Sequence, residues 1–178
     1  MANFILGLYI KEIKDRYILI SNMCGINIFN FVINNLDYIN YCLKHRGPDC
    51  CNHLVYKDIF FNHNLLHITG KISTQPFIDI LNEIVCIYNG EIYNYKDFGE
   101  YDSDGKCLID LYKKYGKTFI EYLDGEFAIA LFDFKKNIFI ISTDIFSTKP
   151  LWYSINSTTN KMGISSYESC LNRAGLED

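Results

Sequence analysis

A chain of 178 residues is long enough for one domain with a full core, burying roughly 70% of its unfolded surface, and leaves no room for a second domain of ordinary size. With 49% hydrophobic and 21% charged residues it reads as globular, and its net charge of −4 argues against a DNA or RNA partner. Seven cysteines, an odd number with no secretory signal ahead of them, speak for a reducing, cytoplasmic setting and against a disulfide framework.

Along the chain, apolar runs at 4–10 and 17–20 flank a mixed-charge stretch, and neither approaches the ~20 residues that span a bilayer. Residues 1–23 therefore read as an N-terminal extension, a propeptide, or sequence ahead of a true start at Met23. The apolar run 24–31 predicts a buried strand, and 34–44 a helix after an Asn cap, with Leu36, Ile39 and Leu43 on one face. Gly47-Pro48 breaks it. Strands at 54–56 and 59–63 around Lys57-Asp58 predict a hairpin, followed by an apolar run at 65–69 and a polar loop to Gln75-Pro76. A buried strand at 84–88 would deliver Asn89-Gly90-Glu91 at its end. A helix at 106–115 would be capped by Ser103 or Asp104 and closed by Gly116. Strands at 126–134 and 138–143 form a second hairpin, and strands at 151–155 and 162–165 precede a last helix at 168–174. Strands outnumber helices and hairpins dominate, which gives an α+β class with antiparallel sheets.

Three stretches carry candidate chemistry: Met23-Cys24-Gly25-Ile26, His45-Arg46-Gly47-Pro48-Asp49 and Asn89-Gly90-Glu91-Ile92-Tyr93-Asn94. Cys24 can act as an acyl-transfer nucleophile if a base takes its proton, and an asparagine amide beside a glycine N–H can form a pair of oxyanion donors. Asn-Gly is also the strongest short hairpin signal, though Glu91 to Asn94 do not continue as a hairpin strand. No Ser-His-Asp or Cys-His-Asn spacing stands out. The economical base is the α-amino group of Cys24, with a reference pKa of about 8, and it exists only if Cys24 becomes residue one.

These stretches, with Gln75-Pro76, Ser103-Asp104, the run from Leu123 to Ala128, and Lys149-Pro150-Leu151, resemble the class II glutamine amidotransferases. The resemblance runs from Met23 to about Ser166 and is to the amino-terminal glutaminase half of glutamine-hydrolysing asparagine synthetase. It implies the four-layer αββα sandwich of the N-terminal nucleophile hydrolases over 24–178, with the nucleophile opening a central strand. It further implies that Cys24 attacks glutamine, that Asn89 and Gly90 form the oxyanion hole, and that Glu91 and Asp104 receive the substrate ammonium. Ile68 and Leu65 would line the substrate pocket, and Arg46 would support the Cys24 loop. No cofactor is implied. The partners would be glutamine and, because these residues hold no Ser-Gly-Gly phosphate loop of an ATP-pyrophosphatase domain, a separate synthetase subunit taking the ammonia, unless the domain is a fragment or has lost its original task. The alternative is a catalytically degenerate module of this fold that binds an amino acid or a synthetase-like partner.

The sequence departs from the family pattern in three places. Leu65 stands where an arginine usually clamps the glutamine α-carboxylate, and leucine cannot form that bidentate pair; His67 or Lys71 are the nearby candidates to replace it. Thr143 and Ser147 stand in the Arg-Asp-x-x-Gly pattern, and Lys106 replaces an acidic residue. His45, Cys50, Cys51 and His53 lack the two-residue gap of a structural zinc site, so no metal is expected. The aromatic residues, 16% of the chain, fall in apolar strand runs and read as core.

Overall fold

The computed structural model describes residues 23–68 and 71–176; the apolar runs at 4–10 and 17–20 and the end of the 65–69 run lie outside the described residues. Two antiparallel sheets face each other. The first is built from β1 (Gly25–Phe29), β2 (Cys50–Tyr56), β3 (Ile59–Leu65), β8 (Trp152–Asn156) and β9 (Lys161–Ser165), in the order β2-β3-β1-β9-β8. The second holds β4 (Phe77–Asp79), β5 (Ile84–Ile92), β6 (Gly125–Asp133) and β7 (Ile138–Thr143), in that order. Helices α1 (Leu36–Lys44) and α3 (Glu168–Arg173) cover the outer face of the first sheet, and α2 (Cys107–Tyr115) covers that of the second.

The layering follows from the two-residue period of the strands. Ile26 and Ile28 of β1 turn inward to meet Val85, Ile87, Ala130 and Phe132 between the sheets, while Phe29 turns outward to Ile39, Cys170 and Leu171 under the helices. On the opposite outside, Cys86 and Tyr88 alternate with those inward residues and pack on Leu108 and Tyr112 of α2. The result is an α+β sandwich of four layers, α, β, β, α, with β1 in the middle of its sheet.

Local signals place the ends. Asn35 caps α1 by accepting the Tyr38 N–H at 3.3 Å. Leu36, in the first turn, stays 41% exposed, whereas Ile39 and Leu43 are buried. Lys57 and Asp58 both take positive φ, 48° and 63°, as a two-residue hairpin with native twist requires.

Two sequence expectations are corrected. The strand expected at 84–88 runs on through Ile92, with Asn89 paired to Ala128, Gly90 to Phe127 and Ile92 to Gly125, so Asn89-Gly90 is neither a turn nor a strand terminus. Glycine permits this, because a Cβ on Gly90, at φ 149°, would meet the Glu126 carbonyl oxygen at 2.0 Å. The helix expected at 106–115 begins as a tight 3₁₀ turn, Asp104–Lys106, without a side-chain cap from Ser103. The Asp104 carboxylate is engaged elsewhere, at the site described next.

Candidate active site

A cavity of about 420 Å³ opens where β1, β3 and β5 come together, and its lining includes Cys24, Leu65, Ile68, Asn89, Gly90, Glu91 and Asp104. Of the candidate residues only Arg46 lies behind the wall. Cys24 immediately precedes the central strand of one sheet, and Asn89 and Gly90 lie in the second half of a central strand of the other. Facing sheets thus bring together residues 65 positions apart in the chain.

Cys24 is held from both sides. Its carbonyl accepts the Arg46 Nε–H at 2.9 Å, and the Arg46 carbonyl accepts the Met23 N–H at 3.2 Å. Arg46, 3% exposed, also lies over the Tyr167 ring at 5.1 Å. The Cys24 Sγ accepts the Leu66 N–H at 3.3 Å. Burial pushes the thiol pKa up, and the Leu66 N–H and the Arg46 charge counter this only in part. A thiol in that state is a poor nucleophile until a base takes its proton. Beyond Cys24, β1 is locked by a reciprocal pair: Ser166 Oγ accepts the Ile26 N–H at 3.0 Å and the Ile26 carbonyl accepts the Ser166 N–H at 2.9 Å.

Asn89 is 2% exposed, and its Nδ2 has no hydrogen-bond partner among the described residues. A buried amide N–H₂ without an acceptor costs about 1–3 kcal/mol, and Asn89 is one of the residues that line the cavity.

The acidic wall is rigid. Asp104 Oδ1 accepts the Tyr88 hydroxyl at 2.6 Å, and Oδ2 accepts the Ile92 N–H at 2.8 Å. Burial, then the Asp104 charge, holds the Tyr88 phenol protonated, well above its ordinary pKa. Gln75, in the Gln-Pro motif, accepts the Tyr88 N–H on its Oε1 at 2.7 Å and so fixes the strand that carries Asn89. Glu91 is exposed at the mouth, and Lys149 of the Lys-Pro-Leu motif reaches Glu126 at 2.9 Å. Sequence reasoning had not assigned a role to Tyr88 or Ser166. The Gln75-Pro76 and Lys149-Pro150 motifs were visible, but not what they hold.

The lining that follows β3 is apolar at Leu65 and Leu66 and includes the exposed His67, Ile68 and Lys71. Leu65, 9% exposed, ends β3, and Leu66 and Ile68 continue it. His67, also lining the cavity, donates its backbone N–H to Asp49 at 2.7 Å, which ties the His-Arg-Gly-Pro-Asp motif to this wall. His63, in register with Ile26 and so on the inter-sheet face, is fully buried, with neither ring nitrogen partnered among the described residues; burial pushes its pKa down to about 4. In the altered 143–147 stretch the aspartate keeps a full set of donors. Asp144 accepts the N–H groups of Phe127, Phe146 and Thr148 at 3.0, 2.9 and 3.1 Å, and Ser147 takes the positive φ, 52°, that a glycine would adopt more easily. Among the described residues no three His, Cys, Asp or Glu side chains gather as a metal site.

This fold and cavity define a glutamine amidotransferase domain: residues 23–176 match that family, and the chain belongs to it. It is similar to an amidase of Penicillium rubens, amidase chyE, at 30% identity over 161 residues, covering 75% of this chain and 24% of that protein. It is similar at 34% identity to a putative glutamine-hydrolysing asparagine synthetase of Methanocaldococcus jannaschii, over 62% of this chain and 25% of that protein. The glutamine-hydrolysing asparagine synthetase of Asparagus officinalis is likewise 34% identical, over 62% of this chain and 20% of its own length. The chain thus spans about a quarter or less of the length of these relatives.

Proposed function

We propose that this domain hydrolyses the side-chain amide of glutamine through a Cys24 thioester. The Cys24 sulfur attacks the amide carbon, and the carbonyl oxygen takes up negative charge against the Asn89 Nδ2 and the Gly90 N–H. The carbon–nitrogen bond breaks and ammonia leaves, its extra proton supplied by the Cys24 α-ammonium group, which had taken that proton from the thiol. Water then cleaves the thioester to glutamate and regenerates the thiol. Glu91 and Asp104 receive the substrate ammonium, and Arg46 acts as a positioning residue that holds the Cys24 carbonyl. The observation that carries this reading is the buried Asn89 Nδ2, without a hydrogen-bond partner among the described residues, on a residue that lines the same cavity as Cys24.

The base requires that Cys24 be the first residue, so an initiator Met23 removed after synthesis, or cleavage of a propeptide ending at Met23, is part of the proposal. The domain proper is then 24–178. A synthetase, on a separate subunit or on a longer form of this chain, receives the ammonia, in a reducing, cytoplasmic setting that fits seven free cysteines. Among the described residues no helix is long and apolar enough to cross a membrane. The alternative, a non-catalytic module, applies where Met23 stays joined to Cys24, since that peptide bond leaves no free amine.

The test is ammonia release from glutamine by a chain that begins at Cys24. Release that vanishes in Cys24→Ala and falls sharply in Asn89→Ala supports the proposal. A folded, Cys24-initiated chain that releases no ammonia, yet melts at higher temperature with glutamine, supports the module instead.

A further inference from the structure

The charges of the cavity are unevenly answered. Lys149 is taken up by Glu126 at 2.9 Å, and the charge of Lys71, exposed at the rim, bears on Asp102, which Lys106 also holds at 3.1 Å. Asp104 has its oxygens on the Tyr88 hydroxyl and the Ile92 N–H, and no lysine or arginine among the described residues pairs with Asp104 or Glu91. The same cavity is lined by Leu65, Leu66 and Ile68, with the exposed His67 and Lys71 beside them. The carboxylates of the cavity await a cation, and the buried Leu65 offers an anion nothing to bind.

We propose that the site selects a primary side-chain amide on an ammonium-bearing compound whose α-carboxyl is masked or missing, with Leu65 as the specificity-determining residue. This rests on the amide-hydrolysing reading above. An ammonium between Glu91 and Asp104 makes charge-assisted hydrogen bonds. A free carboxylate on the same carbon would lose water against the buried Leu65, and an ionised group desolvated without a partner is strongly disfavoured. An α-amide or peptide bond at that place is neutral and meets the same wall at far lower cost. Neither Lys71 nor His67 reverses this, because both sit exposed, where solvent and salt weaken the pull of a charge.

The experiment measures ammonia release by the Cys24-initiated chain from three probes: L-glutamine, its α-N-methylamide, and 4-aminobutanamide, which is glutamine without the carboxyl. Only the side-chain amide of each can yield ammonia. The expected result is a kcat/KM at least about tenfold higher for the N-methylamide than for glutamine, with 4-aminobutanamide also ahead of glutamine. Leu65→Arg is expected to invert that order by placing a bidentate donor on the wall, and Lys71→Ala to leave the order as it is. Glutamine ahead of both probes overturns the proposal, as does a Lys71→Ala chain that loses tenfold on glutamine alone, since Lys71 is then the carboxylate anchor. Should Leu65→Arg fail to fold, the ranking in the parent chain and in Lys71→Ala still decides.

If none of the three yields ammonia, the hydrolytic reading has failed, and the substrate preference is read from the melting temperature of Cys24→Ala with each probe. A larger rise with the N-methylamide than with glutamine supports the preference. An equal or larger rise with glutamine overturns it.

Discussion

The two walls of the cavity are built by different means. On the β5 side, polar groups are fixed by other polar groups: Gln75 holds Tyr88, Tyr88 holds Asp104, and Asp104 holds Ile92, so the acceptors stand ready before anything binds. On the β3 side Leu65, Leu66, His67 and Ile68 line the cavity, and the Leu66 N–H is bonded to the Cys24 sulfur. The difference teaches where function and stability separate. Along the hydrogen-bonded chain of Gln75, Tyr88, Asp104 and Ile92 a substitution costs recognition and packing together, whereas at Cys24 and Asn89 chemistry can be removed with little structural loss.

That contrast can be broken at graded points. Cys24→Ala should bring ammonia release to background while the melting temperature shifts little, because the thiol contributes only weak sulfur contacts to Leu66; calorimetry and an ammonia assay on one sample check both. Asn89→Ala should lower kcat by about 10²-fold to 10³-fold with stability changed by no more than about 1 kcal/mol, since the buried Nδ2 has no partner to lose. A large loss of stability there would mean that the amide is structural.

The layer behind the walls gives a pH test. His63 titrates at about 4 in the folded chain against about 6.5 unfolded, so its neutral form is the one folding favours. That stability is complete above about pH 6.5 and is lost as pH falls through about 4, in all about 3 kcal/mol. His63→Leu should therefore flatten denaturant midpoints between pH 6.5 and 4, and an undiminished acid slope would place the titration elsewhere. The smallest effect expected is that of Tyr88→Phe. It removes one of the donors to Asp104 and should cost about 1.5 kcal/mol of stability, with KM rising more than kcat falls.

Much of this was legible in the sequence, for local reasons. The hairpin at Lys57-Asp58, the Asn35 cap and the inward alternation of Ile26 and Ile28 depend on near neighbours and elementary strand and helix periods. Asn89-Gly90 was harder, because the same dipeptide favours a tight turn, and only pairing with Ala128 and Phe127 keeps it extended. Asp104 in front of a helix reads as a cap, yet the strand it bonds to lies 12 residues back. The contact between Leu66 and the Cys24 sulfur spans 42 residues, and nothing near either position announces it. Leu65 was visible as a departure from the family pattern, but its effect on the cavity depends on which carboxylates and lysines the fold sets around it.

The most direct measurement compares two chains that differ by one residue, one beginning at Cys24 and one retaining Met23, each with its N-terminus verified by intact mass. Both are assayed for ammonia release from glutamine and from its α-N-methylamide. The account predicts release from the Cys24-initiated chain and none above background from the chain with Met23, because only the first carries the α-amine that takes the thiol proton. Equal release from both would contradict it, since the base would then have to be another group.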